Sequence, residues 1–230
     1  MNERGFEKLD NPVWYSLSET HDDFAISYPG IKFYDPEYCP FGGFVTSDNI
    51  ALQIDEYSKF INDFFLVGNK PVFSKKISLE KELVCLQMVL EKRIEAVLIQ
   101  ELIKLNVGSA NALANLVNEV QPGYFKKKTK LMGDYFGIIK EGKLVAVTGE
   151  RMKMNDFTEV SAVVTHPSYA GKGFARQLIA HTANKILDEN KIPYLHVAET
   201  NFGAIRLYEN LGFKTRRKII FLYLESRPDK

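Results

Sequence analysis

The chain has 230 residues, a formal net charge of +1 at pH 7, 45% apolar and 26% charged residues. That balance carries no basic excess for gripping nucleic acid and no global field for an anionic surface, and it is not the composition of a disordered chain. The length suits one large domain or two small ones. Cys39 and Cys85 are the whole cysteine content, too few for a disulfide framework or a four-cysteine metal cluster, and read as ordinary small apolar residues. Residues 1–10 are charged and lack the apolar stretch of a signal peptide. No run of about 18 apolar residues is available to span a membrane. A cytoplasmic protein without a membrane or nucleic-acid partner is expected.

The first third of the chain predicts a small α/β unit. Asn11-Pro12 reads as an N-cap with proline at the first helical position, starting a short helix through Trp14 and Leu17. Residues 31–34, 64–67 and 83–90 read as strands and 54–61 as a short helix. No catalytic constellation is visible there.

The pattern sharpens from residue 96. Residues 99–105 read as a strand. Ser109 is a candidate N-cap for a helix carrying Ala110, Leu113, Ala114 and Val117 on one face, stopped by Pro122-Gly123. The cluster Lys126, Lys127, Lys128 and Lys130 reads as a solvated loop. Residues 135–139, 144–152 and 157–165 form an antiparallel meander, with Glu141-Gly142 and Asn155-Asp156 at the turns. Residues 173–190 turn to helical spacing and 193–197 return to strand. Residues 201–211 are helical, closed by Gly212 at C′, and 218–224 form a last strand. The order β-α-β-β-β-α-β-α-β occupies about 130 residues.

The most informative stretch is THPSYAGKGFAR, residues 165–176. A strand ends, glycines follow at 171 and 173, and a helix begins at once. Glycine lets the backbone turn tightly, and the first N–H groups of a helix have no internal partner and sit at the positive end of its dipole. The combination is an anion cradle, to which Lys172 and Arg176 add charge. The chain lacks the GxxxxGK[ST] pattern of a nucleoside-triphosphate loop and the GxGxxG of a dinucleotide fold.

Residues 157–213 resemble the GNAT superfamily of acetyl-CoA-dependent N-acetyltransferases. The likeness rests on FTEVSAVVTHP, on GKGFA before a long amphipathic helix, and on LHVAETNFGAIRLYENLGF. The family's loop pattern, [Q/R]-x-x-G-x-[G/A], is matched at Gly173 and Ala175. It is broken at Ala170, where the family usually has Gln or Arg. Asn201, Ala204 and Tyr208, followed by Gly212-Phe213, carry the second signature. Within the family the chain looks nearest the branch with glycine N-acyltransferase-like domains.

The resemblance implies an α/β (α+β) fold: a mixed, mostly antiparallel sheet with helices on both faces and a splayed central parallel strand pair, here residues 157–165 and 193–197. It assigns residues 96–230 to the acetyltransferase domain. Residues 1–95 are left as a smaller α/β domain: a degenerate GNAT-like half, a cap on the acceptor site, or the interface of a homodimer. It also implies that backbone groups of Val163, Val164 and Thr165 meet the pantetheine arm of acetyl-CoA. Gly171, Lys172, Gly173, Phe174, Ala175 and Arg176 would wrap the pyrophosphate, and Asn201, Ala204 and Tyr208 would line the other wall. No metal is implied, and residues 124–129 would lie over the acceptor side.

The expected reaction is attack of a neutral primary amine, from a small molecule or peptide, on the thioester. An amine with a pKa near 10 is neutral to about one part in 10³ at pH 7, a cost of about 4 kcal/mol that a base reduces. Glu159 is the candidate base. Simple alternation places it with Ser161 and Val163 on one strand face, about 13 Å from the thioester-binding residue, which suggests a water relay. Glu150 is the runner-up and Tyr208 the candidate acid. His166 reads as shaping the loop, and His181 and His196 as helix-face and strand residues. Two other classes stay open: a non-catalytic acyl-CoA-binding regulatory module, and a nucleotide-binding protein using the same loop for phosphate.

Overall fold

The structure, a computed structural model, describes residues 5–46, 49–95, 99–123 and 125–227. The chain divides into two compact units: Met1–Cys85 with Lys218–Lys230, and Leu86–Arg217. Division therefore falls at 85/86 rather than 95/96, and the last residues join the first unit. The cause is two 13-residue strands, each of which contributes residues to both units.

In the first unit α1 (Pro12–Ser16) starts where Asn11 caps it, the side chain accepting from Trp14 N at 3.3 Å. Strands β1 (Ala25–Tyr28), β2 (Ile31–Tyr34), β3 (Phe41–Phe44) and β4 (Asp63–Val67) lie in that order. The pair β3 and β4 is parallel, with α2 (Ala51–Tyr57) in the connection. Phe33 stacks on Tyr57 at 3.9 Å, and Ile31, Ile54, Phe64 and Leu222 close the core around them. Cys39 and Cys85 are both buried free thiols.

Strand β5 (Ile77–Val89) leads into the second unit. There β6 (Ile103–Lys104) is shorter than the sequence predicts, and α3 (Ala110–Val120) follows a 3-10 turn. Ser109 makes no side-chain cap; Asn106 caps instead, accepting from Ser109 N at 3.2 Å. Then come β7 (Tyr135–Lys140), β8 (Lys143–Arg151), β9 (Phe157–Thr165), α4 (Phe174–Asp188), β10 (Ile192–Ala198), α5 (Phe202–Asn210) and β11 (Lys214–Ser226). Within this unit the strand order is β11-β5-β10-β9-β8-β7-β6. The meander β7-β8-β9 is antiparallel, and β9-β10 is the parallel pair joined through α4.

Helices cover both faces. On one, Ile179, Ala183 and Ile186 of α4, Tyr208 of α5 and Leu211 just after it pack on Val160, Leu195 and Val197. On the other, Leu113, Leu116 and Val117 of α3 pack on Tyr135, Val147 and Val164. Buried apolar area of this kind is the main force holding the layers.

Candidate active site

The site is built where β9 and β10 part. Their ladder runs Phe157↔Ile192, Thr158↔Pro193 and Glu159↔Tyr194 and then stops. Beyond it both strands continue, to Thr165 and Ala198. From Val160 to Thr165 the edge of β9 toward β10 thus has no strand partner among the described residues, and backbone groups there are available to a ligand.

The other edge of β9 holds a surprise. On β8 one residue separates Val147 from Gly149; on β9 two separate their partners Val164 and Ser161. This is a β-bulge, and Ala162 in it has φ +49°. The extra residue shifts the side-chain parity. Glu159 and Ser161 share a face with Val164 rather than Val163: Val164 packs under α3, while Val163 packs with Val160 under α4 and α5. The alternation expected for Glu159, Ser161 and Val163 is corrected accordingly.

Glu159 sits at the root of the splay, 1% exposed. Arg151 holds it bidentately, Nε to Oε2 at 2.7 Å and Nη2 to Oε1 at 3.0 Å. His196 Nδ1 lies 2.8 Å from Oε1. Burial disfavours the charge, but the Arg151 guanidinium and the hydrogen bonds from His196 and Arg151 outweigh it and hold the carboxyl at about 2. Tyr208 is 7% exposed on α5. Burial and the Glu159 charge push its phenol up to about 12, and no described residue hydrogen-bonds its hydroxyl.

Glu150 is not at this site. It shares a face with Val160, opposite the one carrying Glu159 and Arg151. There it is fully buried, bonded by Lys153 and Lys185 at 2.8 Å each. Burial opposes ionisation, yet the two lysines keep its carboxyl below the usual range. It anchors α4 to β8.

The loop after β9 has the geometry its sequence predicts. Gly171 and Gly173 have φ +76° and +74°, the left-handed region that favours glycine. A Cβ on either would meet nothing within 4 Å, so this side of the loop is open. Gly173 leads into α4 with no side-chain cap, leaving the first N–H groups, of Phe174, Ala175 and Arg176, free of one. Lys172 lies over the Tyr169 ring at 4.6 Å, and Arg176 is exposed. Thr165 Oγ1 is buried with no hydrogen-bond partner among the described residues. His166 caps the turn, accepting from Ser168 N at 3.2 Å, and faces Glu119 at 3.4 Å. Asn201 caps α5, accepting from Ala204 N at 3.2 Å, which sets the helix that carries Tyr208. An open anion cradle, an unpaired strand edge and a partnerless phenol suit a long thioester with a phosphate tail. Tyr124, expected over the acceptor side, lies outside the described residues.

Sequence reasoning placed His196 on a strand but gave it no part in the site. Its partner Gln87 is 109 positions away, and only a strand order would have shown them adjacent.

Comparison with known proteins bears on the fold. Residues 135–222 match the FR47-like protein family. A crystal structure from Novosphingobium aromaticivorans, assigned to the GNAT family, superposes with a TM-score of 0.89 at 28% identity, over 96% of this chain and 99% of that one. The second unit has the GNAT fold. A GCN5-related N-acetyltransferase-like protein from Streptococcus suis shares the GNAT fold at 15% identity, TM-score 0.62, over 93% of each chain. A spermidine N(1)-acetyltransferase of Vibrio cholerae is 46% identical over 54 residues, 22% of this chain and 31% of that protein. The match spans under a third of that relative's length. No helix among the described residues is long and apolar enough to cross a membrane.

Proposed function

We propose that this GNAT chain transfers the acetyl group of acetyl-CoA to a primary amine, within a complex holding both substrates. The observation that carries the reading is the end of β9–β10 pairing at Glu159↔Tyr194, on the strand that leads into two left-handed glycines and an uncapped helix start. Acetyl-CoA supplies the acetyl group on a thioester.

The chain's residues then have these roles. Gly171 to Arg176 hold the pyrophosphate through backbone N–H groups, with Lys172 and Arg176 adding charge. The free edge of Val163, Val164 and Thr165 binds the pantetheine arm. Asn201 and Ala204 shape the opposite wall through α5. The amine nitrogen forms its bond to the carbonyl carbon as the carbon–sulfur bond breaks. N–H groups beside the Ala162 bulge face the oxygen that gains charge. Tyr208 gives its proton to the leaving sulfur and regains one from solvent. Glu159 acts through its charge: a carboxyl held at about 2 is a weak proton acceptor at neutral pH, but a fixed anion favours a nitrogen that turns cationic as it attacks. The displaced proton leaves through water.

A polyamine such as spermidine is the first acceptor to try, given the Vibrio cholerae match. The likeness to the branch with glycine N-acyltransferase-like domains makes a small amino acid the second. We assign the first unit as a degenerate GNAT-like half, because β3-α2-β4 repeats the parallel crossover of β9-α4-β10. A cytoplasmic site of action fits two free thiols.

Thermal shift tests the donor. Acetyl-CoA is expected to raise the melting temperature and ATP and NAD to leave it unchanged; stabilisation by ATP alone would sink the assignment.

A further inference from the structure

Five polar side chains form one line across the second unit, one from each of five neighbouring strands, β11-β5-β10-β9-β8. Arg216 Nη1 donates to Gln87 Oε1 at 3.0 Å. Gln87 Nε2 lies 3.1 Å from His196 Nε2, and His196 Nδ1 lies 2.8 Å from Glu159 Oε1. Arg151 meets Glu159 from the far side. The His196 side chain is 3% exposed.

The line has a direction. A guanidinium only donates, so the amide oxygen of Gln87 faces Arg216 and its NH2 faces His196. That NH2 can only donate, so His196 Nε2 accepts and carries no proton. The ring proton is then on Nδ1 and is donated to Glu159. Every hydrogen bond from Arg216 onward points at the Glu159 carboxylate. Protonation of His196 would set an N–H against the Gln87 NH2, which Arg216 keeps from turning.

We propose that Gln87 and Arg216 are positioning residues for the transfer reaction: they hold His196 as the neutral Nδ1–H tautomer, which fixes Glu159 as a permanent carboxylate at the root of the splay. The catalytic half of this rests on the acetyl-transfer reading; the tautomer half does not. Among the described residues, the charged and titratable groups near the pair include Arg151 on β8, Tyr208 on α5, and Tyr194, whose ring lies 5.6 Å from that of His196. His196 therefore does not take the amine proton, and the Glu159 charge persists through the working pH range.

Gln87→Glu in the full chain tests it. The new carboxylate still accepts from Arg216 but replaces the donor facing Nε2 with an acceptor, so His196 lies between two carboxylates and becomes an imidazolium. Long-range 1H–15N correlation reads the ring directly, with His196→Asn assigning the signal among four histidines. At about pH 7 wild type is expected to show the His196 proton on Nδ1 with Nε2 bare, and Gln87→Glu a ring protonated on both nitrogens. With acetyl-CoA and an amine, Gln87→Glu is expected to lower kcat about tenfold and leave the KM for acetyl-CoA within about twofold. His196→Asn, which keeps an N–H toward Glu159, is expected to retain about a third of kcat or more.

Should Gln87→Glu fail to fold, Gln87→Met removes the lock without adding charge, and the proton is then expected on Nε2 in a larger share of His196 rings than in wild type. A wild-type ring protonated on Nε2 overturns the proposal. So does an imidazolium in Gln87→Glu with kcat unchanged. Should no amine be acetylated, the transfer reading fails and takes the kinetic half with it, while the ring spectrum still decides the tautomer.

Discussion

Glu159 and His196 join β9 to β10 by one 2.8 Å hydrogen bond where the backbone ladder between them ends. Main-chain pairing stops at Glu159↔Tyr194, and two residues on, a side chain takes over. The opening above is therefore bounded by a charged, fully bonded carboxylate. Its position follows from the strand register, and its state follows from Arg151 and His196.

Removing one partner of a buried ion pair leaves the other charge uncompensated, at about 3–5 kcal/mol. Arg151→Met is expected to destabilise the chain by about that amount in urea unfolding, and Arg151→Met with Glu159→Gln by clearly less. Equal losses in the single and double variants would show that the pair contributes only volume.

Acid stability follows from the same carboxylate. Its folded value of about 2 lies below the usual 4.5, so its contribution is present above pH 4.5 and is lost as pH falls toward 2. Thermal unfolding between those limits should steepen with acid in the wild type and less so in Glu159→Gln. An unchanged slope would mean that Glu159 does not titrate there.

Tyr208→Phe separates chemistry from packing. No described residue accepts or donates at the Tyr208 hydroxyl, so the variant is expected to melt within about 1 °C of wild type. A hydrogen bond to a developing charge is worth about 1.5–3 kcal/mol, so kcat is expected to fall about 10- to 100-fold. A large drop in melting temperature with kcat preserved would make the tyrosine structural.

Gly173→Ala places a Cβ in open space at φ +74°, so its cost is conformational, about 1–2 kcal/mol. It also disturbs the start of α4. The KM for acetyl-CoA is expected to rise about tenfold with kcat little changed. An unaltered KM would place the phosphates elsewhere.

Much of this was legible in the residues. Period-two runs and turn residues mark β7, β8 and β9, period 3.6 marks α4 and α5, and glycines 171, 173 and 212 punctuate them. Three features were not. The bulge at Ala162 leaves no trace, because Ser161, Ala162 and Val163 read equally well on either face. Strand β3 is Phe41-Gly42-Gly43-Phe44, too short and too glycine-rich for a strand pattern. The line from Arg216 to Arg151 joins residues brought together only by the strand order, and long-range pairing is what periodicity cannot express.

Release of free thiol from acetyl-CoA, measured with a panel of amines that includes spermidine, tests the central claim most directly. Amine-dependent release is predicted, reduced in Tyr208→Phe and, at low acetyl-CoA, in Gly173→Ala. Retained CoA binding with no release across the whole panel would contradict it, and would make the chain an acyl-CoA-binding module rather than an enzyme.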